Sequence, residues 1–474
     1  MSETPQKKHF VPSTMPAEGL GVLSLFHLVE AAVPAFFRPD RTIHVARAPG
    51  RLDVLGGFAD YSGSLVLQLP TAEAACAAVQ VRDDDLVRLW SPSEDGSRTQ
   101  LLSVRLADLG LPDAPIDADE ARAFFHADPR DRWAGYLLGC CLVLARARRI
   151  RFTNGAEILL HSDVPEGMGV GSSAAIEVAT MRALAEAYGI PLSPRELALL
   201  CQQVENEVLG TPCGVMDQMT AVTAEADELL ALRCQPCEVE GSIPVPAEVE
   251  FVGLTSGVRH TDDRRQYHDV RIGAFFGARM LADRPGWRGW LANCDIAEFR
   301  AQQSSLLPVT IGGADFLQRY GGHADPHTRI DPARDYAVRA PSAHPVEENA
   351  RAERFRELLQ QGPSAERHRE LGDILFAAHD AYGACGLGET VTDFLVATAR
   401  ARRDAGAPLY GAKVSGGGRG GTVVLFGERG KVWYEALRIK KALLQETGHS
   451  GHIFRWSSPG AMSFGTVEMR PSGA

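Results

Sequence analysis

Residues 163–175, DVPEGMGVGSSAA, constrain what this chain can fold into more than any other stretch. Residues 155–161 before them alternate like a strand, and 174–188 after them carry helical spacing. A strand, a glycine-rich turn and a helix aim free backbone N–H groups and the positive end of a helix dipole at an anion. Gly167, Gly169 and Gly171 permit the close backbone approach that a phosphate demands, and Ser172 and Ser173 add hydroxyls. The turn is not a Walker loop, because no Gly-Lys-Ser/Thr ends it. It is not a clean dinucleotide fingerprint either, because Ser172 stands where the third glycine belongs. Alone, such a turn fits a plain connection as well as a phosphate site.

With 474 residues the chain predicts two domains, and its strands and helices without a regular βαβ rhythm predict an α+β fold. A spacer around Pro244 and Pro246 marks the expected boundary, giving an N-terminal extension at 1–40, a first domain at 41–247 and a second at 248–474. Three strand-like runs at 64–69, 72–81 and 86–91 predict an antiparallel meander, and 92–130 reads as a loop-rich excursion. Ser193 with Glu196 three residues on predicts a helix N-cap, and helices are expected at 346–361, 365–383 and 389–405. Residues 284–345, rich in Gly, Pro and His, read as an irregular insertion folded against the site or the partner domain.

A net charge of −11 argues against a nucleic-acid or anionic-membrane binder, while leaving room for a small anion held locally. No apolar run approaches the roughly 20 residues of a membrane span, and the first residues lack a secretory core. Nine cysteines without framework spacing predict free thiols and a cytoplasmic setting, and Cys234–Cys237 is a lone CxxC without a second pair. His323 and His327, though four apart, sit among Gly, Pro and Asp and read as loop histidines.

Three glycine-bearing motifs stand in order, RAPGRLDVLGGFADYSGS from Arg47, DVPEGMGVGSSAA, and GAKVSGGGRGG from Gly411, with CGVMDQ between the last two. Together they resemble the GHMP kinase superfamily and, within it, the galactokinases, over residues 41 to 474, with 284–345 outside the general galactokinase pattern. Closer wording, in GRLDVLGGFADYSGSLVLQLP, SGVRH, YHDVRIGAFFG, FLQRYGGH and DYAVRAP, is similar to the kinase domain of the L-arabinokinases. The resemblance implies a two-domain fold with the active site in the cleft between the domains, ATP and Mg²⁺ as cofactors, and phosphorylation of a sugar at its anomeric hydroxyl.

It also implies roles. Gly167, Gly169, Val170, Gly171, Ser172, Ser173 and Ala174, with Gly416, Gly417 and Gly418, would hold ATP, and Ser173 and Glu205 the metal. Asp217 of GVMDQ would be the catalytic base and Arg51 of APGRLD the group that offsets charge on the transferred phosphoryl. Asp60, Gly57, Phe58, Gly214 and Tyr267 would meet the sugar. Read without the motifs, Glu205 fits a solvated helix carboxylate, Asp217 a cap on its own helix, Arg51 a surface arginine and Tyr267 a core aromatic.

The first motif departs from the usual GEHTDY of galactokinases. Asp60 is kept, while Gly57 and Phe58 replace the acid and histidine that lie near the carbon-6 hydroxymethyl. L-Arabinopyranose has the ring configuration of D-galactopyranose without that group, and a buried carboxylate left unpaired costs about 1–3 kcal/mol or more. The departure therefore points to L-arabinose over D-galactose. A galactokinase with an altered pocket and a non-catalytic sugar sensor are the alternatives. A mevalonate or homoserine kinase fits the ATP loop but not DVLGGFADYSG.

Overall fold

The computed structural model describes residues 9–13, 20–33, 35–92, 98–258 and 265–472. Part of the expected N-terminal extension and of the SGVRH segment lies outside them. Strands β1 (Phe10–Pro12), β2 (Ile43–Leu55), β3 (Leu65–Val81), β4 (Leu86–Trp90), β5 (Leu101–Arg105), β6 (Ala156–Ser162), β7 (Glu228–Arg233) and β8 (Glu238–Pro244) belong to one sheet. The chain then leaves it. β9 (Val249–Thr255) opens a second lobe, in which β10 (Thr310–Gly312) and β11 (Asp335–Ala337) form a small two-stranded antiparallel sheet. β12 (Leu409–Val414), β13 (Thr422–Glu428) and β14 (Ile453–Phe454) join β9 in a sheet of order β12-β13-β9-β14. β15 (Thr466–Pro471) returns to the first sheet, whose order is β1-β15-β2-β3-β6-β4-β5 with β7 on β3 and β8 on β7. The expected extension is therefore not separate from the first layer: β1 pairs with β15, and the helix Leu20–Ala31 packs on β3 and β6.

The largely buried β2 and β3 form the spine of the first lobe, covered by the helices Ala134–Arg148, Ser172–Ala187 and Pro194–Gln203. The first two runs of the expected meander are instead one long β3, and the third is β4. The break read at Pro70 disappears because β7 pairs residues 65–68 and β6 pairs 75–81 on the same side. Pro70 and Thr71 fall in the gap between those partners, where a missing N–H forfeits no ladder bond. β4 also runs parallel to β6, against the antiparallel expectation. The excursion at 92–130 contains β5 and the helix Ala118–His126, capped by Asp117 with Glu120 in return. Ser193 and Glu196 form the reciprocal box expected of them.

The segment 284–345 is not structureless. It supplies a helix at Gly313–Tyr320 and the β10–β11 pair that flanks it. Phe316 stacks on Phe276 with ring centres 3.5 Å apart, and that core reaches Phe58 and Tyr61 of the first motif. The next helix starts at Arg339 rather than 346. It takes Pro341 in its first turn, where the N–H would be unpaired in any case, and tolerates Pro345 inside.

Candidate active site

A cleft of about 390 Å³ lies between the lobes. From the first lobe it takes Arg51, Phe58 and Asp60, the turn Gly167–Ser173 and Glu205 to Asp217. From the second it takes Tyr267, Gly417, Gly418 and Arg419. The helix Ser172–Ala187 begins at one wall, with Gly171 as its N-cap at φ 72°, a left-handed conformation that a side chain would strain. The free N–H groups of its first turn and the hydroxyls of Ser172 and Ser173 face the opening together. Val170 lines the same wall, and its carbonyl accepts the Arg51 amide at 2.9 Å. Ala174, the third residue of the helix, is buried and is not part of the lining.

Arg51 is buried, not a surface arginine. Its Nε and Nη2 donate to Oδ1 and Oδ2 of Asp217 at 2.9 and 2.7 Å, and its Nη1 donates to the Gly169 carbonyl at 2.6 Å. One guanidinium thus ties the glycine turn to the carboxylate in a two-pronged, charge-assisted geometry. Asp217 lies in the first turn of the helix Met216–Thr223 and spends both oxygens on Arg51 rather than capping that helix. Its side chain is 25% exposed, so it still opens to the cleft.

Asp60 sits at the other end on a short 3₁₀ turn, Gly57–Ser62, and accepts the Tyr61 amide at 2.7 Å. Burial first, and then the Asp217 charge, push its carboxyl up to about 7, against the pull of Arg271. Gly214 is required beside it, since a Cβ there would stand 1.8 Å from Asp60 Oδ2. Tyr267 lines the cleft and meets the Tyr61 ring edge-on at 6.4 Å. Phe58 lines the cleft too, its ring stacked on His344 at 3.9 Å and edge-on to Tyr382 at 4.8 Å. Gly57 does not reach the cleft: it packs under Tyr382, whose hydroxyl would lie 1.7 Å from a Cβ.

Glu205 lies on a π turn, Val204–Val208, that continues the helix Pro194–Gln203. It is buried and lines the cleft, so it is not a solvated helix carboxylate. Behind it Glu177 is fully buried, its carboxyl driven well up by burial and then by Glu205, with Gln218 donating to it at 3.4 Å. Among the described residues no group of three or more His, Cys, Asp and Glu is arranged to hold a metal. Ser173 and Glu205 alone fit an ion that takes one or two protein oxygens and completes its shell with phosphate and water, which is how Mg²⁺ binds. His323 serves its own loop, accepting the Asp325 amide at 3.2 Å, and Cys234 and Cys237 are buried free thiols.

Of the late glycine turn, Gly417 and Gly418 line the cleft, whereas Gly416 lies behind them and gives its carbonyl to the Tyr382 hydroxyl at 2.7 Å. Sequence reasoning missed what fixes this turn. Lys413 and Asp53, both fully buried, meet at 2.7 Å across the lobes. Asp53 also accepts Gln68 at 2.7 Å and the amides of Gly57 and Gly416 at 3.1 and 3.3 Å. Ser415 and Thr422 donate to the carbonyls of Gly169 and Met168 at 3.2 and 2.7 Å, which sews the two glycine turns together. Lys413 and Asp53 stood inside quoted motifs, and a charge within an apolar strand was the signal available. Also missed was an apolar end of the cleft, formed by Trp133, Tyr136, Leu160 and Ile176.

Residues 135–225 match the family model "GHMP kinases N terminal domain". The chain is 39% identical to the L-arabinokinase of Arabidopsis thaliana over 93% of its own length, and spans about half, 48%, of that protein. It is 30% identical to the galactokinase of Chloroflexus aurantiacus, covering 80% of this chain and 83% of the relative. The structure of Lactococcus lactis galactokinase complexed with galactose shares the fold at a TM-score of 0.73 and 19% identity, over 93% of this chain and 99% of that one. Fold, motif order and sequence identity agree: the chain belongs to the GHMP kinase family, in its galactokinase branch.

Proposed function

We propose that the protein is an ATP-dependent kinase that phosphorylates L-arabinose at its anomeric hydroxyl to give L-arabinose 1-phosphate. The observation that carries this reading is the Arg51–Asp217 pair, set between a phosphate-binding helix start and a buried, polar, sugar-sized end of the cleft. In this reading the apolar end beside Trp133 and Ile176 takes the adenine base. The turn Gly167–Ser173 and Gly417–Gly418 then take the phosphates. Asp60, Gly214 and Tyr267 hold the sugar, Asp60 accepting two ring hydroxyls.

Asp217 accepts the proton of the anomeric hydroxyl as that oxygen bonds to the γ-phosphorus, while the bond to the bridging oxygen breaks and ADP leaves. Arg51 orients Asp217 and offsets negative charge on the transferred group where water is scarce. Ser173 and Glu205 would hold Mg²⁺, which neutralises phosphate charge when bound. Phe58 closes the pocket where a hydroxymethyl would project, while Gly57 packs under Tyr382 outside it. Among the described residues no helix is long and apolar enough to cross a membrane; the cytoplasm is the proposed setting.

The test is ADP release from purified protein with ATP, Mg²⁺ and a panel of sugars. A higher kcat/KM for L-arabinose than for D-galactose is expected. Equal or better D-galactose turnover refutes the substrate assignment, and sugar binding without turnover on any sugar refutes the kinase reading in favour of a sensor.

A further inference from the structure

Behind the sugar end of the cleft stands Arg271, on the helix Arg265–Leu281 one turn after Tyr267 and 4% exposed. Its Nε and Nη2 donate to Oδ2 and Oδ1 of Asp325 at 2.7 and 2.9 Å. Asp325 comes from the segment 284–345, where the Thr328 hydroxyl and the His327 amide also donate to it at 2.7 and 3.2 Å. The guanidinium lies over the rings of Tyr61 and Phe275 at 5.1 and 5.8 Å. Its third nitrogen, Nη1, is buried without a hydrogen-bond partner among the described residues, and so is the Tyr61 hydroxyl.

A buried donor left unpaired costs about 1–3 kcal/mol, so an ion pair that served packing alone would gain from an apolar replacement. The position of the pair gives it a different task. Tyr61 follows Asp60 directly, and Tyr267 of the same helix lines the cleft.

We propose that Arg271, braced by Asp325, is a positioning residue of the sugar site: through the Tyr61 ring it covers, it holds the Asp60 carboxylate in place behind the bound sugar. The segment 284–345 then serves the site through that brace. This rests on the sugar-kinase reading above.

The groups around Asp60 make the need concrete. Asp217 faces it from the helix Met216–Thr223, Tyr61 and Tyr267 from beside and opposite, Cys213 from the turn before Gly214, and Cys234 from the end of β7. The amides of Tyr61 and Met216 favour a charged carboxylate, whereas burial and the Asp217 charge oppose it. Arg271 adds a cation to those amides, and removing it lets burial and Asp217 drive the Asp60 carboxyl further up, which weakens it as an acceptor for ring hydroxyls.

The experiment uses the full chain and three variants, Arg271→Gln, Arg271→Lys and Asp325→Ala. Isotope-edited infrared titration, with the Asp60 band assigned by its loss in Asp60→Asn, reads the carboxyl without needing turnover. The midpoint is expected to rise by about one pH unit or more in Arg271→Gln and by less in Arg271→Lys, which keeps the charge and guards against a misfolded first variant. Sugar KM at neutral pH is expected to rise about tenfold in Arg271→Gln and to rise in Asp325→Ala, with nucleotide KM unchanged. An unmoved midpoint in both Arg271 variants overturns the proposal, and an unchanged sugar KM in Asp325→Ala overturns the role of the brace. If the wild type turns over no sugar, the sugar-kinase reading fails while the titration still decides the tie between Arg271 and Asp60.

Discussion

Replacing Asp60 with asparagine exchanges a carboxylate oxygen for an amide in a fully enclosed corner of the cleft and leaves an oxygen to accept the Tyr61 amide. The folded-state carboxyl ionises at about 7 instead of the ordinary 3.8, driven first by burial and then by Asp217. Because the folded value is the raised one, its contribution is fully present below pH 4 and is lost as pH rises through 7. A difference of about 3 pH units at 1.36 kcal/mol each comes to about 4 kcal/mol at pH 8, falling to about 1.6 kcal/mol at pH 5. Asparagine carries no such penalty. Asp60→Asn should therefore be more stable than wild type by up to about 4 kcal/mol at pH 8, with the gain shrinking towards pH 5. At about 2.1 cal/mol/K per residue, 474 residues give an unfolding entropy near 1 kcal/mol/K, so the gain reads as about 4 °C in Tm if the lobes unfold together. Calorimetric scans of both proteins between pH 5 and 8.5 test it, alongside sugar turnover, which should be lost. A variant that melts at or below wild type at pH 8, or a gain that ignores pH, refutes the reasoning.

Asp217→Asn should lower sugar phosphorylation about 100- to 10,000-fold while nucleotide affinity, measured by calorimetry, changes little; unchanged turnover removes Asp217 as the base. Gly214→Ala places a Cβ within 1.8 Å of Asp60 Oδ2 and must displace that carboxylate. It should cost about 100-fold in kcat/KM for sugar and spare nucleotide binding. Lys413→Met strands the buried charge of Asp53 and should destabilise the protein by about 3–5 kcal/mol in denaturant titration, with Asp53→Asn added to it restoring most of the loss.

The glycine turn and the helix after it were legible because their signal is local: glycine spacing and two hydroxyls within one short stretch announce a helix start. Arg51, Asp60, Asp217 and Glu205 were legible only through the order of the motifs, since the pairing of Arg51 with Asp217 joins residues far apart in the chain. Gly57 shows the limit of that route. The absence of a side chain was read as a missing sugar contact, whereas the structure fills the space with Tyr382. Asp53–Lys413 was hidden because each half looks like an ordinary charge until the lobes meet, and Arg271–Asp325 because its halves, far apart in sequence, meet only when the second lobe folds. The merged β3 was missed because Pro70 breaks a strand only where a neighbour needs its N–H, and register decides that.

β15 lies between β1 and β2, so the lobe that carries Arg51 and the phosphate turn is closed by residues 466–471, made long after the rest of it. During synthesis the β2 edge stays open until translation of this region ends, a ready partner for another chain's strand. Removing β15, at the opposite end of the sequence from Arg51, should expose that edge and favour aggregation before any loss of catalytic chemistry is felt. A fusion or cut placed beside it is therefore a perturbation of the first lobe, not of the second.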